Sequence, residues 1–452
     1  MNDIVRRAPF VVAASATPKS DGWDKLLIIT IFGGILTLAY AALSTAIFDP
    51  LLRLAYHDDW FDLMVRPTVL WILMGIFLLT LRTVMWLRYR AFAPATADDA
   101  PRLTVIIPAY NEGRMVEKSI DSVAAADYPR DRLQIIVVDD GSRDDTWDWI
   151  ERAVARQPQL ITPIRFVHNR GKRAALAEGF RQATGDVVVT IDSDSVIERN
   201  TLLAMAGPFR NAKVGAVAGK VAVFNRRKGL LPRMLHVRFI LAFDFLRSAQ
   251  STYGTVYCCP GALAGYRMSA VRQILEKWEH QTFMGVDCTY GEDRALTNCI
   301  LQLGYDSVYQ RNAVVHTLAP ETYTKLCKMY LRWDRSYIRE EIRFLSKVVW
   351  KRPLGSRLIA FVETMMNALR FPVTYVSLTL WIAFIIVEPA AMLRMMIAIG
   401  IASTFYMLYY LRSERSWDFI FGVLYAYFAF FGLMWIFPYA ALTVRAKSWL
   451  TR

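Results

Sequence analysis

Three short polar clusters each follow a β-branched segment that has the length of a strand. The clusters are Tyr110-Asn111-Glu112, Asp139-Asp140-Gly141-Ser142 and Asp192-Ser193-Asp194. Ligands of doubly wound sheets bind at the carboxyl ends of the strands, so we expect the clusters to face one cleft. Asp192 and Asp194 flank a single residue, and two carboxylates so placed can converge on one hard cation. Mg²⁺ and Mn²⁺ share oxygen ligands with phosphates, which predicts a metal-dependent site for a phosphorylated ligand.

Two further segments carry charges suited to the same chemistry. Gly291-Glu292-Asp293-Arg294 precedes a helix-patterned run. One of its acids is suited to act as a general base, and the alternative is that both acids stabilise the helix start. Lys172 follows a glycine at another predicted helix start, where it is either a phosphate neighbour or a surface charge.

A basic stripe lies in a later helical segment. Its members, which recur on one side of the helix, are Arg332, Arg335, Arg339 and Arg343. Beside a membrane such a stripe faces lipid phosphates. In the alternative interpretation, Arg332 binds a pyrophosphate while the ring of Trp333 stacks on a sugar.

Strands and helices alternate around these motifs. The β-branched runs are 103–107, 135–138, 164–167 and 187–191, and the helix-patterned segments are 115–126, 145–157 and 172–183. This alternation predicts an α/β domain, in which helices cover both faces of a parallel sheet.

Long apolar runs flank this domain. The 452 residues are 54% hydrophobic and carry a formal net charge of +14, which indicates a membrane protein with a cationic cytoplasmic surface. The apolar runs are 26–48, 67–87, 371–387, 390–411 and 419–444. The segment 358–370 contains Glu363 and Arg370, which predicts an interfacial helix, although both are also candidates for lining the entrance of a product route. We expect no nucleic-acid partner, since the cationic excess gathers beside the apolar runs.

The cysteines and the flanking charges indicate compartment and orientation. Five cysteines without a Cys-x-x-Cys pair argue against a disulfide framework or a structural zinc site, and suit a reducing compartment. The connection 49–66 is acidic and its outer flanks are basic, so the positive-inside rule places both flanks in the cytoplasm. The predicted parts are a cytoplasmic tail 1–25, two transmembrane helices in 26–88, a cytoplasmic domain with interfacial helices 89–357, an interfacial helix and about three transmembrane helices in 358–444, and a basic tail 445–452. Three C-terminal spans would leave that tail outside, so their number stays open.

Taken in order, the motifs resemble those of the processive family 2 glycosyltransferases, which have a GT-A (Rossmann-like) fold anchored in a membrane. The ordered set is TVIIPAYNE (104–112), VVDDGS (137–142), NRGKRAAL (169–176), DSD (192–194), YCCPGALAGYR (257–267), GEDRALTN (291–298) and LRW (331–333). Within that family, CCPGALAGYR, GEDRALTN and RWDRSYIRE (332–340) are most similar to hyaluronan synthases and nodulation-type chitooligosaccharide synthases. The acid motif of cellulose synthases usually reads Thr-Glu-Asp, where this chain has Gly291-Glu292-Asp293.

The resemblance implies an inverting, processive enzyme that uses a UDP-sugar, Mg²⁺ or Mn²⁺, and a growing polysaccharide acceptor at the plasma (inner) membrane. UDP-GlcNAc, alone or alternating with UDP-GlcA, is the favoured donor. By position, the implied uridine and phosphate contacts are Tyr110, Glu112, one of Asp139 and Asp140, Lys172, Asp192, Arg332 and Trp333. The implied metal ligands are Asp194 and Asp192, and the implied catalytic base is Asp293. The implied acceptor contacts are Cys258, Cys259, Gly261, Glu292, Arg294 and Trp333.

One position departs from the family pattern. The family's Gln-x-x-Arg-Trp begins with glutamine, and here Met329 stands in its place, so the role of the amide is lost or passes to Lys325 or Lys328. Two alternatives therefore accompany the synthase hypothesis. One is transfer of a single sugar to a polyprenyl phosphate, and the other is a catalytically silent membrane sensor of sugar nucleotides. The oligomeric state is not predicted.

Overall fold

The computed structural model describes residues 22–44 and 59–446. The first 21 residues, most of the acidic connection and the last six residues lie outside the described part of the chain, together with the predictions made for them. Two helices precede the central domain: α1 (Gly22–Ser44) and α2 (Asp59–Arg88).

An eight-stranded mixed sheet forms the centre of the domain, in the order β3-β2-β1-β4-β7-β6-β10-β5. The strands are β1 (Leu103–Ala109), β2 (Leu133–Asp139), β3 (Ile161–Arg165), β4 (Val187–Thr190), β5 (Ser195–Ile197), β6 (Val214–Val223), β7 (Ala264–Arg267) and β10 (Asp306–Thr317). A separate two-stranded hairpin consists of β8 (Thr282–Phe283) and β9 (Val286–Asp287). Every residue of β1 is buried, as expected for a strand covered by helices on both faces.

Helices cover both faces of this sheet. Those of the domain are α3 (Met115–Ala124), α4 (Thr146–Arg156), α5 (Lys172–Gln182), α6 (Thr201–Ala206), α7 (Leu230–Ile240), α8 (Ser248–Ser251), α9 (Met268–Glu279), α10 (Glu292–Gln302) and α11 (Tyr323–Arg343). The three helices predicted from the sequence, α3 to α5, are present within one or two residues of their expected ends.

The sheet differs from the prediction in containing antiparallel strands and in the residue at which β3 begins. Strands β1 to β4 pair in parallel as expected, but β7 inserts antiparallel between β4 and β6, and β5 pairs antiparallel with β10. Strand β7 has four residues (AGYR), which are too few and too varied in polarity to show the alternation that predicts a strand. Strand β3 begins three residues before the predicted run, because its pairing with β2 fixes its register.

Four helices follow the domain: α12 (Leu354–Val387), α13 (Ala390–Glu414), α14 (Phe419–Gly432) and α15 (Ile436–Leu442). Among the described residues, three helical segments are long and apolar enough to cross a membrane: Leu70–Arg88, Leu354–Val387 and Ala390–Glu414. A fourth span is possible if α14 and α15, bent by 49°, count as one. The chain is a membrane protein whose candidate spans lie on both sides of the domain.

Helix α12 does not divide where the sequence suggested. Residues 358–370, predicted as a separate interfacial helix, continue without a break into the apolar run that follows, and Pro372 lies inside the helix. Membrane helices tolerate such prolines because neighbouring groups satisfy the freed carbonyl. Glu363 of this helix is 2% exposed; it pairs with Arg82 of α2 at 2.9 Å and accepts a hydrogen bond from the Tyr253 hydroxyl.

Candidate active site

A small cleft opens at the carboxyl edge of the sheet. Its lining includes Lys172, Asp192, Glu292 and Asp293, together with Gly261, Tyr266 and Trp278. The four charged residues come from the start of α5, the loop after β4 and the start of α10; the other three come from the segment before β7, from β7 and from α9. Four charged groups from three separate sequence motifs therefore meet in one space, as the position of each motif after a strand or before a helix predicted.

Lys172 lies at the centre of these charges. Its ammonium forms an ion pair with Asp192 and a second one with Glu292, whose Oε1 is 3.2 Å away. Burial alone would lower the pKa of Lys172, but the charges of Asp192 and Glu292 raise it above its usual value. Lys172 is therefore a permanent cation between the two acidic motifs, and not the exposed surface charge that the alternative interpretation required.

Asp293 faces the cleft from the first turn of α10. Its Oδ2 accepts a hydrogen bond from the Gly261 backbone N–H at 3.3 Å and lies 3.5 Å from the Cys258 sulfur. Its Oδ1 accepts the Arg294 N–H at 2.7 Å. Burial and the neighbouring charge of Glu292 raise the pKa of Asp293, while burial of Glu292 is outweighed by Lys172 and Arg332, so the pKa of Glu292 is lowered. Of the two acids, Asp293 is thus the stronger base.

Asp194 lies in a second, more acidic part of the site. Its Oδ1 accepts hydrogen bonds from Ser195 and Thr317, each at 3.2 Å. Burial and the nearby charges of Asp192 and Glu112 raise the pKa of Asp194 to about 7. The mutual repulsion of these carboxylates fits the binding of a divalent cation by oxygen ligands.

The described residues contain one group of three side chains close enough together to hold a metal ion. These are Glu276, Glu279 and His280 on α9, of which Glu276 and His280 are exposed. Both glutamates also pair with Arg181. A metal at Asp192 and Asp194 would accordingly need further ligands from a bound substrate.

The two acids after β2 differ in what they contact. Asp140 is buried and accepts hydrogen bonds from the Arg170 and Gly171 N–H groups, at 2.7 and 2.9 Å, and from the Asn169 amide at 3.1 Å. Burial nevertheless raises the pKa of Asp140 to about 6. Asp139 is also buried; its Oδ1 accepts the Ser142 N–H, and its Oδ2 has no hydrogen-bond partner. Asp140 therefore holds the loop before Lys172, whereas Asp139 Oδ2 lies 3.5 Å from Arg165 Nε, an ion-pair distance.

Tyr110 and Glu112 follow β1 on the same edge of the sheet. The backbone N–H of Glu112 donates to the Thr146 hydroxyl at 2.8 Å, and that of Asn111 donates to the Ser142 hydroxyl at 3.0 Å. The backbone after β1 is thus hydrogen-bonded to side-chain hydroxyls of the segment after β2, which holds the two clusters together at one edge of the sheet.

Gly261 occupies the point where the cleft is narrowest. A Cβ atom added there would lie 2.8 Å from the Lys172 ammonium and 3.2 Å from Asp192 Oδ1. We expect Gly261→Ala to displace this ion pair and to lower kcat/KM by about tenfold or more, since misplaced charges lose catalytic power steeply. Rates of sugar transfer and thermal unfolding of the purified variant check this. Gly355→Ala, where the added methyl meets no atom within 4 Å, is the matched control, and equal rates for both variants would contradict the prediction.

The basic stripe of α11 faces the protein. Arg335 and Arg339 are each 3% exposed; Arg335 donates to the Thr443 hydroxyl, and Arg339 donates to the Tyr290 carbonyl. The interpretation that the stripe contacts lipid phosphates is wrong for these two residues. Arg332 lies close enough to Glu292 to lower its pKa, and Trp333 is 43% exposed beside Tyr330, with ring centroids 5.5 Å apart.

The position of the family's glutamine is apolar in this chain. Met329 is 8% exposed and belongs to the main hydrophobic core, which suits a thioether. Lys325 and Lys328 are exposed, so the suggestion that either lysine takes over the role of a buried amide is not supported.

The structure also separates the two adjacent cysteines. Cys259 is fully buried and its N–H donates to the Thr297 hydroxyl. Cys258 is the one that approaches Asp293. Burial and Asp293 raise the pKa of the Cys258 thiol to about 12, so it remains protonated.

Sequence reasoning missed three side chains of the site. The Trp278 indole N–H donates to the Glu292 carbonyl at 2.9 Å, and Tyr266 lines the cleft. Thr317 bonds Asp194 across 123 residues of sequence. Tyr266 lies inside the YCCPGALAGYR motif, which was a usable signal, whereas Trp278 and Thr317 lie in segments without a distinctive pattern.

Comparison with known proteins agrees with this geometry. The family model "Glycosyl transferase family 2" matches residues 104–275. The N-acetylglucosaminyltransferase of Azorhizobium caulinodans is 32% identical over 78% of this chain and 87% of its own length. The chain belongs to glycosyl transferase family 2. The hyaluronan synthase of Streptococcus pyogenes is 30% identical to this family 2 chain, over 78% of it and 83% of the synthase. The chain is therefore an enzyme that transfers a glycosyl group.

A solved structure shows that the fold of this family 2 enzyme is that of a GT-A glycosyltransferase. The mannosyltransferase PcManGT of Pyrobaculum calidifontis, solved in complex with GDP-Man and Mn²⁺, matches with a TM-score of 0.55 at 23% sequence identity. The match covers 88% of this chain and 97% of the mannosyltransferase. The sheet and its flanking helices are accordingly those of the predicted fold class.

Proposed function

We propose that this glycosyltransferase is an inverting, processive synthase that adds sugars from a UDP-sugar to a growing β-linked polysaccharide. UDP-GlcNAc, alone or alternating with UDP-GlcA, is the donor we favour, since the relatives are named for N-acetylglucosaminyl transfer and hyaluronan synthesis. The observation that carries the proposal is the meeting of Lys172, Asp192, Glu292 and Asp293 in one cleft.

Asp293 is the proposed catalytic base. Its raised pKa and its position at the cleft suit it to take a proton from the hydroxyl of the terminal acceptor sugar. That oxygen attacks the anomeric carbon of the donor, and the bond from this carbon to the phosphate oxygen breaks. The electron pair leaves with UDP. One displacement converts an α-linked donor into a β-linkage, so no covalent enzyme intermediate is required.

Positive charge near the diphosphate would stabilise UDP as it leaves. Lys172, held beside Asp192, and Arg332, near Glu292, are the proposed cationic partners of the diphosphate. A divalent cation, Mg²⁺ or Mn²⁺, would be held by Asp192 and Asp194 and would neutralise charge on the departing diphosphate.

The nucleoside has a separate set of proposed contacts after β1 and β2. Asp139 Oδ2, which is buried, makes no hydrogen bond and lies 3.5 Å from Arg165 Nε, is the proposed acceptor for the N–H of uracil, and Tyr110 and Glu112 lie on the same edge. Asp140 supports them by fixing the loop that leads to Lys172. The acceptor sugar would contact Trp333, Glu292, Arg294 and the backbone of Gly261.

The candidate membrane helices indicate where the proposed reaction takes place. The catalytic domain lies between α2 and α12, and the basic flanks of the spans favour a cytoplasmic domain at the plasma membrane. We propose that the product leaves through the helices that follow the domain.

The decisive experiment is UDP release by the purified protein in detergent with Mg²⁺ or Mn²⁺. UDP-Glc, UDP-GlcNAc, UDP-GlcA and UDP-Gal are tested singly and in pairs, and product length is measured. A ladder or a polymer is the expected product. A single sugar on added polyprenyl phosphate would establish the carrier-lipid alternative, and no release from any donor would contradict the choice of UDP-sugars.

A further inference from the structure

The three helices that carry the charged residues of the site are connected behind it by buried polar side chains. Lys172 lies on α5, Glu292 and Asp293 on α10, and Arg332 on α11. The last two residues of the RWDRSYIRE segment, Arg339 and Glu340, have no part in the proposed chemistry. They are 3% and 1% exposed.

Glu340 joins α11 to two other parts of the domain. Its Oε1 accepts a hydrogen bond from Gln281 Nε2 at 2.6 Å, and its Oε2 accepts one from Asn298 Nδ2 at 3.0 Å. Asn298 lies on α10, and Gln281 lies just after α9. A buried carboxylate is costly unless it is paired, and here Arg339 Nε at 3.4 Å supplies the charge.

Gln281 extends the connection to α5. Its Oε1 accepts a hydrogen bond from Arg173 at 3.1 Å, and Arg173 directly follows Lys172. The Arg173 guanidinium also lies 5.2 Å from the centroid of the Trp278 ring, whose N–H donates to the Glu292 carbonyl. A continuous chain of hydrogen bonds therefore runs from Arg173 through Gln281 and Glu340 to Asn298.

A close contact at Gly291 also fixes α11 against the start of α10. Gly291, directly before α10, has a φ of 75°, and a Cβ atom there would overlap the Ser336 side chain and lie 3.0 Å from an Arg339 nitrogen. Helix α11 thus passes the start of α10 without space for a side chain. A shift of α11 along its axis would break both this contact and the Glu340 hydrogen bonds.

We infer that Glu340 is a positioning residue that sets the register of α11 against α5 and α10. It lies eight residues after Arg332, about 12 Å along the helix, so it acts through Arg332 and Trp333 and not on substrate. The inference rests on the proposed roles of Arg332, Trp333 and Asp293 in the transfer step. Glu340 holds the first two over the acid that activates the acceptor.

Exchanging the amide of Gln281 and the carboxylate of Glu340 tests whether their hydrogen bond sets the register of α11. In Glu340→Gln, the introduced NH₂ group faces a donor N–H of Gln281 or Asn298, and one hydrogen bond is lost. In Gln281→Glu/Glu340→Gln, the NH₂ group at position 340 donates to the new carboxylate, the amide oxygen still accepts from Asn298, and the total charge is unchanged; the long contact from Arg339 Nε, at 3.4 Å, is the one that loses its acceptor. The new carboxylate also lies next to Arg173, which has two buried nitrogens without hydrogen bonds.

The measurements are kcat and KM for the donor, UDP binding, and thermal unfolding. We expect Glu340→Gln to lower kcat by about 10- to 100-fold, since a displacement of 1 Å costs on that order, with KM within about threefold. The exchanged pair should recover kcat to within about threefold of the unmodified enzyme. Glu276→Gln, whose side chain is 73% exposed, is the matched control.

Three results would overturn the inference. These are an unchanged kcat in Glu340→Gln, no recovery in the exchanged pair, or a loss of UDP binding as large as the loss of kcat. If Glu340→Gln does not fold, the exchanged pair decides alone, and a folded but inactive pair contradicts the inference. An unmodified protein that transfers no sugar would instead contradict the proposed function.

Discussion

Asp293→Asn is expected to lower the rate of sugar transfer by about 10²- to 10⁴-fold, the range that a positioned general base contributes. Asparagine keeps one carbonyl oxygen, which can accept the N–H of either Gly261 or Arg294, but it cannot take a proton. UDP binding should therefore be retained while UDP release in the presence of acceptor is lost. Rate measurements and calorimetric titration with UDP check the two halves of this prediction.

The pH dependence of the unmodified enzyme gives a second measure of the same group. Because burial and Glu292 raise the pKa of Asp293 above 3.8, the base is lost by protonation at a higher pH than for an ordinary aspartate. The acid limb of kcat/KM should therefore lie at a higher pH than an ordinary aspartate would give.

Asp131→Asn, on a side chain that is 80% exposed, is the control for Asp293→Asn. Transfer within tenfold of normal in Asp293→Asn would remove this residue from the role of base.

Asp194→Asn is the second substitution with a large expected effect. It removes one of the two proposed metal ligands, so the Mn²⁺ concentration needed for activity should rise by about 100-fold or more, and kcat/KM should fall by a similar factor. A titration of UDP release with Mn²⁺ measures both. Unchanged activation by Mn²⁺ would show that the cation binds elsewhere.

Without a bound metal, we expect Asp194→Asn to leave the thermal stability of the protein unchanged or to raise it. Burial and the charges of Asp192 and Glu112 raise the pKa of Asp194 from 3.8 to about 7. Between these values the folded state binds a proton that the unfolded state does not, so stability decreases as the pH rises through this window. Asp194→Asn lacks this proton. In EDTA above pH 7, the variant should unfold at a temperature equal to or higher than the unmodified protein.

Local patterns predicted a large part of this site. The clusters after β1, β2 and β4 and the acids at the start of α10 were recognisable because each residue type and its position next to an element are local properties. Their convergence followed from the rule that parallel strands end at one edge of the sheet. The contact of Thr317 with Asp194 depends on the pairing of β10 with β5, which no short window contains.

Burial was the property that the sequence predicted least well. Arg335 and Arg339 have the spacing of a surface stripe, yet the packing of α11 on α10 and α15 buries them, and the partners that compensate their charge lie far away in sequence. Cys258 and Cys259 are adjacent and of one type, yet Cys259 is buried in the main hydrophobic core whereas Cys258 faces Asp293. The connection of Gln281 to Glu340 spans 59 residues and has no local signal.

The unbroken helix α12 has a mechanical consequence for synthesis. Its 34 residues extend about 51 Å, which exceeds a hydrocarbon layer of about 30 Å by roughly 20 Å. Tyr253 connects the catalytic domain to this helix through Glu363, so the cleft and the helix are held together. For the processive synthesis proposed above, an active site held in this way would stay in place at the membrane. The growing polymer would then have to move forward by one unit after each addition.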